Sequence, residues 1–288
     1  NIVKVGIDPL VNKYKKYYEN INHKISNFFN IRDIKKLRLK KKFKIITALS
    51  VFYDLRNPNK FLKEVKQILD KDGVFLLEHA DLYSILKNNI FDTICHEHLS
   101  YYSSSVIINM MKKNGLRVFN HEFNNINGGS SRYYICHMNS KYKSNQSIKY
   151  IINKELKYKV GLPKTLKNFF KKIINLNNKL IKLIKKIKKN NQIIHGYGAS
   201  TKGNILLQFC KIGNQEIDFI ADRNMLKFNL FTPGTKIKII SEKESRSIKP
   251  NYYLVLPWHF KKEILKREIK IRKKGVKFIF PLPKIKIV

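Results

Sequence analysis

"FKIITALSVFYDLRNPNKFLKEVKQILDKDGVFLLEHA", residues 43–80, reads as strand, helix, strand. The apolar runs 43–52 and 73–80 are short and rich in β-branched and aromatic residues, as buried strands are. Between them "NKFLKEVKQILDK" is amphipathic at the helical period. Upstream, "IVKVGID" (2–8) reads as a further short buried strand ending in an acid. Strands alternating with helices imply a parallel, helix-covered sheet, and ligands of such sheets sit at the carboxyl ends of the strands. Those ends carry Asp8, the "LSVFYD" stretch and the Glu78–His79 pair.

Further along, "SSSVIINMMKKNGLRVFN" (103–120) reads as a helix that opens on serine and closes at Gly115, followed by a strand. "NNINGGSSRYYICHM" (124–138) is a turn and a strand, with Asn127, Gly128 and Gly129 supplying the left-handed backbone that a hairpin needs. Residues 141 to about 162 are polar and weakly periodic. From Thr165 to Lys189 apolar residues recur at three and four, which predicts one long amphipathic helix with a lysine face. Such a stripe packs on a neighbouring domain more often than on a membrane. The last hundred residues restart the alternation: strand "QIIHGYGAS", helix "TKGNILLQFCKIG", strands "EIDFIAD" and "PNYYLVLPWHF", helix "KKEILKREIKIRKK" and strand "VKFIFPL". The expected organisation is an α/β domain over 1–140, a helical connector over 141–190 and a second α/β domain over 191–288.

The 288 residues suffice for two cores. With 43% hydrophobic content, no signal peptide and no apolar run of membrane-spanning length, the chain reads as a soluble globular protein. The formal net charge of +39 raises nucleic acid or an anionic surface as a partner. Only nine of the 59 basic residues are Arg, the side chain favoured for base edges and bidentate phosphate contacts. The Lys, Asn and Ile excess also runs through every segment, as an A/T-rich coding bias would produce. No specific nucleic acid is therefore expected, and an RNA-binding protein or RNA methyltransferase stands as the alternative. Cys95, Cys136 and Cys210 lie far apart and form no C-x-x-C pair, so neither a disulfide framework nor a metal site is expected and the setting is a reducing cytoplasm. The chain opens at Asn1 with no Met and falls at once into a strand, as a piece of a longer protein would.

Two stretches carry chemistry. In "IIHGYGASTKGN" (193–204) a strand runs through Gly196 and Gly198 into a helix containing Gly203. The free N–H groups of that helix start and the charge of Lys202 would suit an anion such as a diphosphate. The spacing is neither G-x-x-x-x-G-K-S/T nor G-x-G-x-x-G, and it leaves open whether the glycines serve a ligand or tight packing. "FDTICHEHLSYYS" (91–103) sets Glu97 between His96 and His98. By itself the triplet has no spacing that selects a metal.

"VGIDPL", "ITALSVFYDLRNPNKFLKEVKQILDKDGVFLLEHADL", "FDTICHEHLSYYS", "NGGSSR", "GYGASTKGN", "DRN…TPGT" and "PWHF…FIFPLP" occur together and in order. In this the chain resembles the S-adenosylmethionine-dependent C-methyltransferases that act beside the ketone of nucleotide-linked 4-keto-hexoses. The resemblance covers essentially the whole chain. It implies an incomplete class I methyltransferase sheet, Rossmann-like, followed by a second Rossmann-like α/β domain. It also implies that the cysteine-rich zinc domain and the first strand and glycine loop of the family precede the segment seen here, so that zinc belongs only to the missing part. Within the chain, the resemblance makes His98 the general base and Glu97 its acidic partner. Histidine titrates near cellular pH, which suits removal of a proton beside a ketone. Asp8, Ala48, Leu49 and Ser50 would hold S-adenosylmethionine. Asn127, Gly128, Gly129 and Arg132 would border the sugar, with Cys95 standing where some members have tyrosine. Tyr197, Gly198, Ser200, Thr201, Lys202 and Asn204 would meet the diphosphate, and Trp258 and His259 would either stack on the nucleotide or belong to the core. A binding protein that keeps the nucleotide-sugar pocket without catalysis is the remaining alternative.

Overall fold

A computed structural model describes residues 2–288 of the chain. Packing divides it into two compact units that do not follow chain order. The first comprises Asn1–His79, Ser104–Glu122 and Ser131–Asn153, and the second Ala80–Ser103, Phe123–Ser130 and Lys154–Val288.

In the first unit, β1 (Val5–Ile7) pairs in parallel with β2 (His23–Ile25) as a separate two-stranded sheet. After α1 (Ile31–Lys36) comes β3 (Phe43–Leu49), then α2 (Pro58–Ile68) and β4 (Leu69–Ala80), with β3 and β4 parallel. The helix forms where expected because Asn57 accepts the Lys60 N–H at 2.9 Å, Pro58 takes the first turn, and Leu62 and Val65 are fully buried one turn apart. The short α3 (Leu82–Lys87), in the second unit, is capped by Asp81. Then follow α4 (Ser104–Lys113), β5 (Leu116–Asn124) and β6 (Ser130–His137), which complete a sheet of order β3-β4-β6-β5. Asn127, Gly128 and Gly129 between the last two strands all have positive φ, as the turn chemistry predicts.

One expected strand is corrected. The run 2–8 is strand only over 5–7 and is not buried, and Ile2 and Val3 stand exposed ahead of it. Among the described residues β2 is its one partner, so the outer edge of β1 carries no further ladder.

In the second unit, α5 (Ser147–Tyr158), which starts in the first, leads into α6 (Pro163–Lys189). Phe169, Ile173, Leu176, Leu180, Ile184 and Ile187 are buried along α6, the three-and-four spacing expected of its apolar stripe. Then come β7 (Ile194–Tyr197), α7 (Thr201–Phe209), β8 (Phe219–Asp222), β9 (Lys238–Ser241), α8 (Glu242–Ser247), β10 (Tyr252–Val255), α9 (Lys261–Arg267), α10 (Ile269–Lys273), β11 (Lys277–Phe280) and β12 (Lys286–Ile287). The expected single helix over 261–274 is broken at Glu268, whose buried carboxylate is drawn into an ion-pair network. Two further strands lie outside the expected elements: β12, only two residues long, and the four-residue β9. The sheet order is β12-β11-β10-β7-β8-β9, parallel throughout except for β12.

The chain therefore builds outward from β7 through β8 to β9, then returns to the other side of β7 for β10. Such a reversal opens a crevice beyond the carboxyl ends of the two diverging strands. Here those ends are the Gly198 loop and the segment Leu256–Trp258.

Leu180, on the apolar stripe of α6, has no exposed surface. Leu180→Ala is expected to cost about 2–5 kcal/mol in urea unfolding, against less than about 0.5 kcal/mol for the exposed Lys182→Ala. Equal effects would remove the assigned face of the helix.

Candidate functional site

The second unit gathers most of the singled-out residues around the β7/β10 reversal. Ser200 caps α7, its Oγ accepting the Gly203 N–H at 3.0 Å. That places Lys202 in the first turn, where its Nζ donates to the Asn127 carbonyl at 2.8 Å. Burial lowers the Lys202 pKa, opposed by Asp92 and then by Cys95. Asp92, in a short turn over 91–93, has no exposed surface, and its Oδ2 accepts the Trp258 indole N–H at 2.7 Å. Trp258 in turn lies against Gly128, where an added Cβ would come within 2.3 Å of the indole. The loop 126–129, the turn 91–93, the start of α7 and the end of β10 are thus joined by named contacts.

Three buried polar atoms in these elements have no hydrogen-bond partner among the described residues: Asp92 Oδ1, Asn204 Oδ1 and His259 Nδ1. Burial pushes the Asp92 carboxyl up, with Lys202 and the Trp258 N–H acting against it. Burial, then Lys202, brings His259 down to about 4. Native proteins pair nearly all buried polar atoms, so such a group of orphans beside a lysine suits a polar ligand.

The glycines resolve the question their spacing left open. A Cβ on Gly196 would meet Ile220 at 2.7 Å, one on Gly198 would meet Pro257 at 2.8 Å, and one on Gly203 would meet Leu256 at 2.7 Å. All three serve close packing of the sheet and its loops. Lys202 and Asn204 are the loop's remaining candidates for contact with a ligand. Thr201 is exposed, and the Tyr197 hydroxyl lies in another network, donating to Glu268 Oε1 at 2.7 Å and accepting from Arg267.

The triplet at 96–98 belongs to the same unit. His98 is half-buried, with Nδ1 3.4 Å from the hydroxyl of the buried Thr93 and its backbone N–H donating to the Cys95 carbonyl at 3.2 Å. The Tyr101 hydroxyl accepts the Cys95 N–H at 3.2 Å. His96 and Glu97 are exposed, and Glu97 makes no hydrogen bond among the described residues. One turn of chain therefore holds Trp258 through Asp92 and touches His98 through Thr93.

In the first unit, a groove of about 260 Å³ is lined by Val5 and Ile7 of β1, by β3 from Phe43 to Leu49 and by apolar residues of α1 and α2. Ala48 and Leu49 line it, and Asp8 follows at the carboxyl end of β1. Asp8 Oδ1 accepts the Leu10 N–H at 2.7 Å, while Oδ2 makes no hydrogen bond among the described residues. Ser50 follows β3 with φ 56 and donates its N–H to the Glu78 carbonyl. Arg132 is also in this unit and is paired with the buried Glu78 at 2.7 Å. No group of three or more His, Cys, Asp or Glu able to hold a metal occurs among the described residues. Among the described residues no helix is long and apolar enough to cross a membrane.

Asp92 stands in plain view within "FDTICHEH", yet sequence reasoning gave it no role. The signal was available: an acid between Phe91 and Thr93 in an otherwise apolar run has to be buried with a partner. That partner is Trp258, which belongs to the core and uses its N–H inside the protein.

Comparison with known proteins matches residues 125–283, more than half of the chain, to a family described as the C-methyltransferase C-terminal domain, and residues 3–121 to a methyltransferase domain. C-methyltransferase NovU of Streptomyces niveus is 29% identical over 85% of this chain. The chain spans 58% of that relative's length. Among solved structures, an S-adenosylmethionine-dependent methyltransferase from Clostridium acetobutylicum superposes at a TM-score of 0.36, with 14% identity, over 47% of this chain and 75% of the other. PKMT2 from Rickettsia typhi, in complex with AdoHcy, gives 0.37, with 13% identity, over 50% of this chain and 46% of the other. These superpositions are too loose to bear weight.

Asp92 yields a pH test. Its folded-state pKa is raised, so the folded protein favours the protonated carboxyl, and stability should fall as pH rises through the folded pKa. Asp92→Asn keeps an acceptor for Trp258 without a charge. Its melting temperature relative to the wild type is expected to climb between pH 4 and pH 8. A gap that stays constant with pH would contradict the burial account.

Proposed function

The chain belongs to the C-methyltransferase family whose C-terminal domain it carries over residues 125–283, and from that membership we propose that it takes part in methyl transfer from S-adenosylmethionine to a carbon beside the ketone of a nucleotide-linked 4-keto-hexose. The observation that carries the substrate class is the Lys202 cluster. A cation at the start of α7, in the crevice where the strand order reverses, suits a diphosphate. The orphaned Asn204 Oδ1 and His259 Nδ1 offer polar atoms for the rest of the nucleotide or sugar.

The chemistry assigned to the residues starts from the acidity of a carbon next to a ketone. His98 takes the proton, and the electrons of the broken C–H bond delocalise onto the ketone oxygen as an enolate. The carbon is then the nucleophile. Thr93 steadies the imidazole through its Nδ1 contact. Glu97 is exposed and one residue away, which suits a proton-handling partner better than a fixed orienting group. Asn127, Gly128 and Gly129 are placed by Lys202 and Trp258, so that the loop bordering the sugar is set by the same residues as the diphosphate end. Cys95, half-exposed and bonded through its backbone to Tyr101, is the position assigned to sugar selection.

The first unit fits S-adenosylmethionine in chemical character. The unbonded Asp8 oxygen suits ribose hydroxyls, and Ala48 and Leu49 close the strand that lines an apolar groove, with Ser50 next along the chain. When bound, S-adenosylmethionine supplies an electrophilic methyl on a sulfonium. Arg132, paired with Glu78, would have to exchange that partner to meet a sugar, so its assigned role is to hold the end of β4.

The test supplies the protein with S-adenosylmethionine and a nucleotide 4-keto-hexose. His98→Ala should abolish methyl transfer while leaving nucleotide-sugar binding within about threefold. Lys202→Gln should weaken that binding by about tenfold or more, the scale of one lost charge-assisted contact. Normal turnover in His98→Ala would sink the assignment of the base.

A further inference from the structure

One cavity of the second unit lies away from the crevice, at the opposite ends of the strands. It has a volume of about 400 Å³ and is bounded by the segments that enter β10 and β11. Lys249, Pro250 and Asn251 immediately precede β10, and Lys274, Gly275 and Val276 immediately precede β11. Tyr253, Ile271 and Val276 give it an apolar wall, while Arg246, Lys249 and Lys274 supply charge. No carboxylate lines it.

The three cations differ in state. The Arg246 Nη2 is anchored on Glu242 Oε2 at 3.0 Å and on both oxygens of Glu268 at 2.9 and 3.0 Å. With Arg267, which also pairs with Glu242 and Glu268, this makes two guanidiniums against two carboxylates, a locally neutral network. Arg246 Nε and Nη1 make no hydrogen bond among the described residues, so a guanidinium fixed at one corner keeps donors in reserve beside the cavity. Lys249 and Lys274 are exposed and have no ion pair among the described residues. Gly275, with φ 90, has nothing within 4 Å of where a Cβ would stand, so the rim is open there.

We propose that this cavity is a second ligand site, for a small organic phosphate monoester whose apolar body lies on the wall formed by Tyr253, Ile271 and Val276. The charge balance selects the class. A phosphate monoester carries about −1.5 to −2 at neutral pH, matching two uncompensated lysines, whereas a carboxylate would leave one unmatched. The volume lies within the usual range for small-molecule pockets. The cavity also connects to the other end of the sheet: Arg246 holds Glu268, and Glu268 accepts from the Tyr197 hydroxyl at the end of β7.

The experiment titrates phenyl phosphate into the 288-residue protein by calorimetry at about 150 mM salt, where the Debye length of about 8 Å screens the diffuse positive field. Saturable binding is expected. The double variant Lys249→Gln/Lys274→Gln should weaken it at least tenfold at an unchanged melting temperature, and benzoate should bind at least tenfold more weakly than phenyl phosphate. Lys202→Gln, in the crevice, and Lys262→Gln/Lys266→Gln, on the exposed side of α9, should leave the affinity unaltered. The proposal is overturned by an absence of saturable binding, by an affinity that survives the double variant, or by benzoate binding equally well. A matching loss in the α9 pair would reduce the effect to diffuse charge, and a loss in Lys202→Gln would place the anion in the crevice; either result also overturns it.

Discussion

A carboxylate with no exposed surface, Asp92, accepts the indole N–H of Trp258, and the arrangement of the second unit turns on that bond. A buried acid costs free energy unless it is paired and hydrogen-bonded. Asp92 offsets part of that cost through the indole and part through the nearby Lys202 charge. The same bond fixes the indole plane, and the indole leaves room for nothing but hydrogen at Gly128. Lys202, released from strong pairing with the acid, reaches the Asn127 carbonyl on the same loop. One desolvated acid thus sets an aromatic ring, a loop and a cation.

The second unit's sheet explains why these groups meet. Its strand order reverses at β7, so the loops after β7 and β10 rise on the two sides of one crevice. Gly198 and Pro257 touch across it closely enough to exclude a Cβ. The small residues that resemble a phosphate loop in sequence are consumed by this packing. That leaves the charged and amide side chains of Lys202 and Asn204, at the start of α7, as the candidates to meet a ligand. Glycine-rich spacing and anion binding are therefore separable properties, and here the first serves the sheet.

Much of this was legible in the sequence. The alternation of strands and helices, the 27-residue α6 with its three-and-four stripe and the left-handed turn at Asn127–Gly129 followed from periodicity and turn chemistry. Hidden features depended on distant partners. "IVKVGID" reads as a buried strand from its apolar residues alone, but burial of a strand depends on what pairs with both of its edges, which a local pattern does not encode. Glu268 interrupts an otherwise regular helix where Arg246 of α8 and Tyr197 of β7 converge on it beside its own neighbour Arg267. Among the site residues, His98 and Asn127, which fall within the expected 1–140 domain, share the second unit with Lys202. Tyr197, assigned to the diphosphate, points elsewhere, because the direction of a strand residue's side chain depends on register with distant neighbours, such as its partner Val255 on β10.

The chain passes from one unit to the other after residues 79, 103, 122, 130 and 153. Asp92 and Trp258 are separated by 166 positions. At typical synthesis rates of about 5–20 residues per second, the carboxylate emerges on the order of ten seconds or more before the indole that will receive it. Through that interval the segment 80–103, with its apolar neighbours Phe91 and Ile90, has no finished surface to join. The final docking of this segment is consequently a late, long-range event. Contacts of such sequence separation slow folding, since the loop must close before any of them forms. A nascent chain of this architecture depends on shielding of that stretch until its last strands are made.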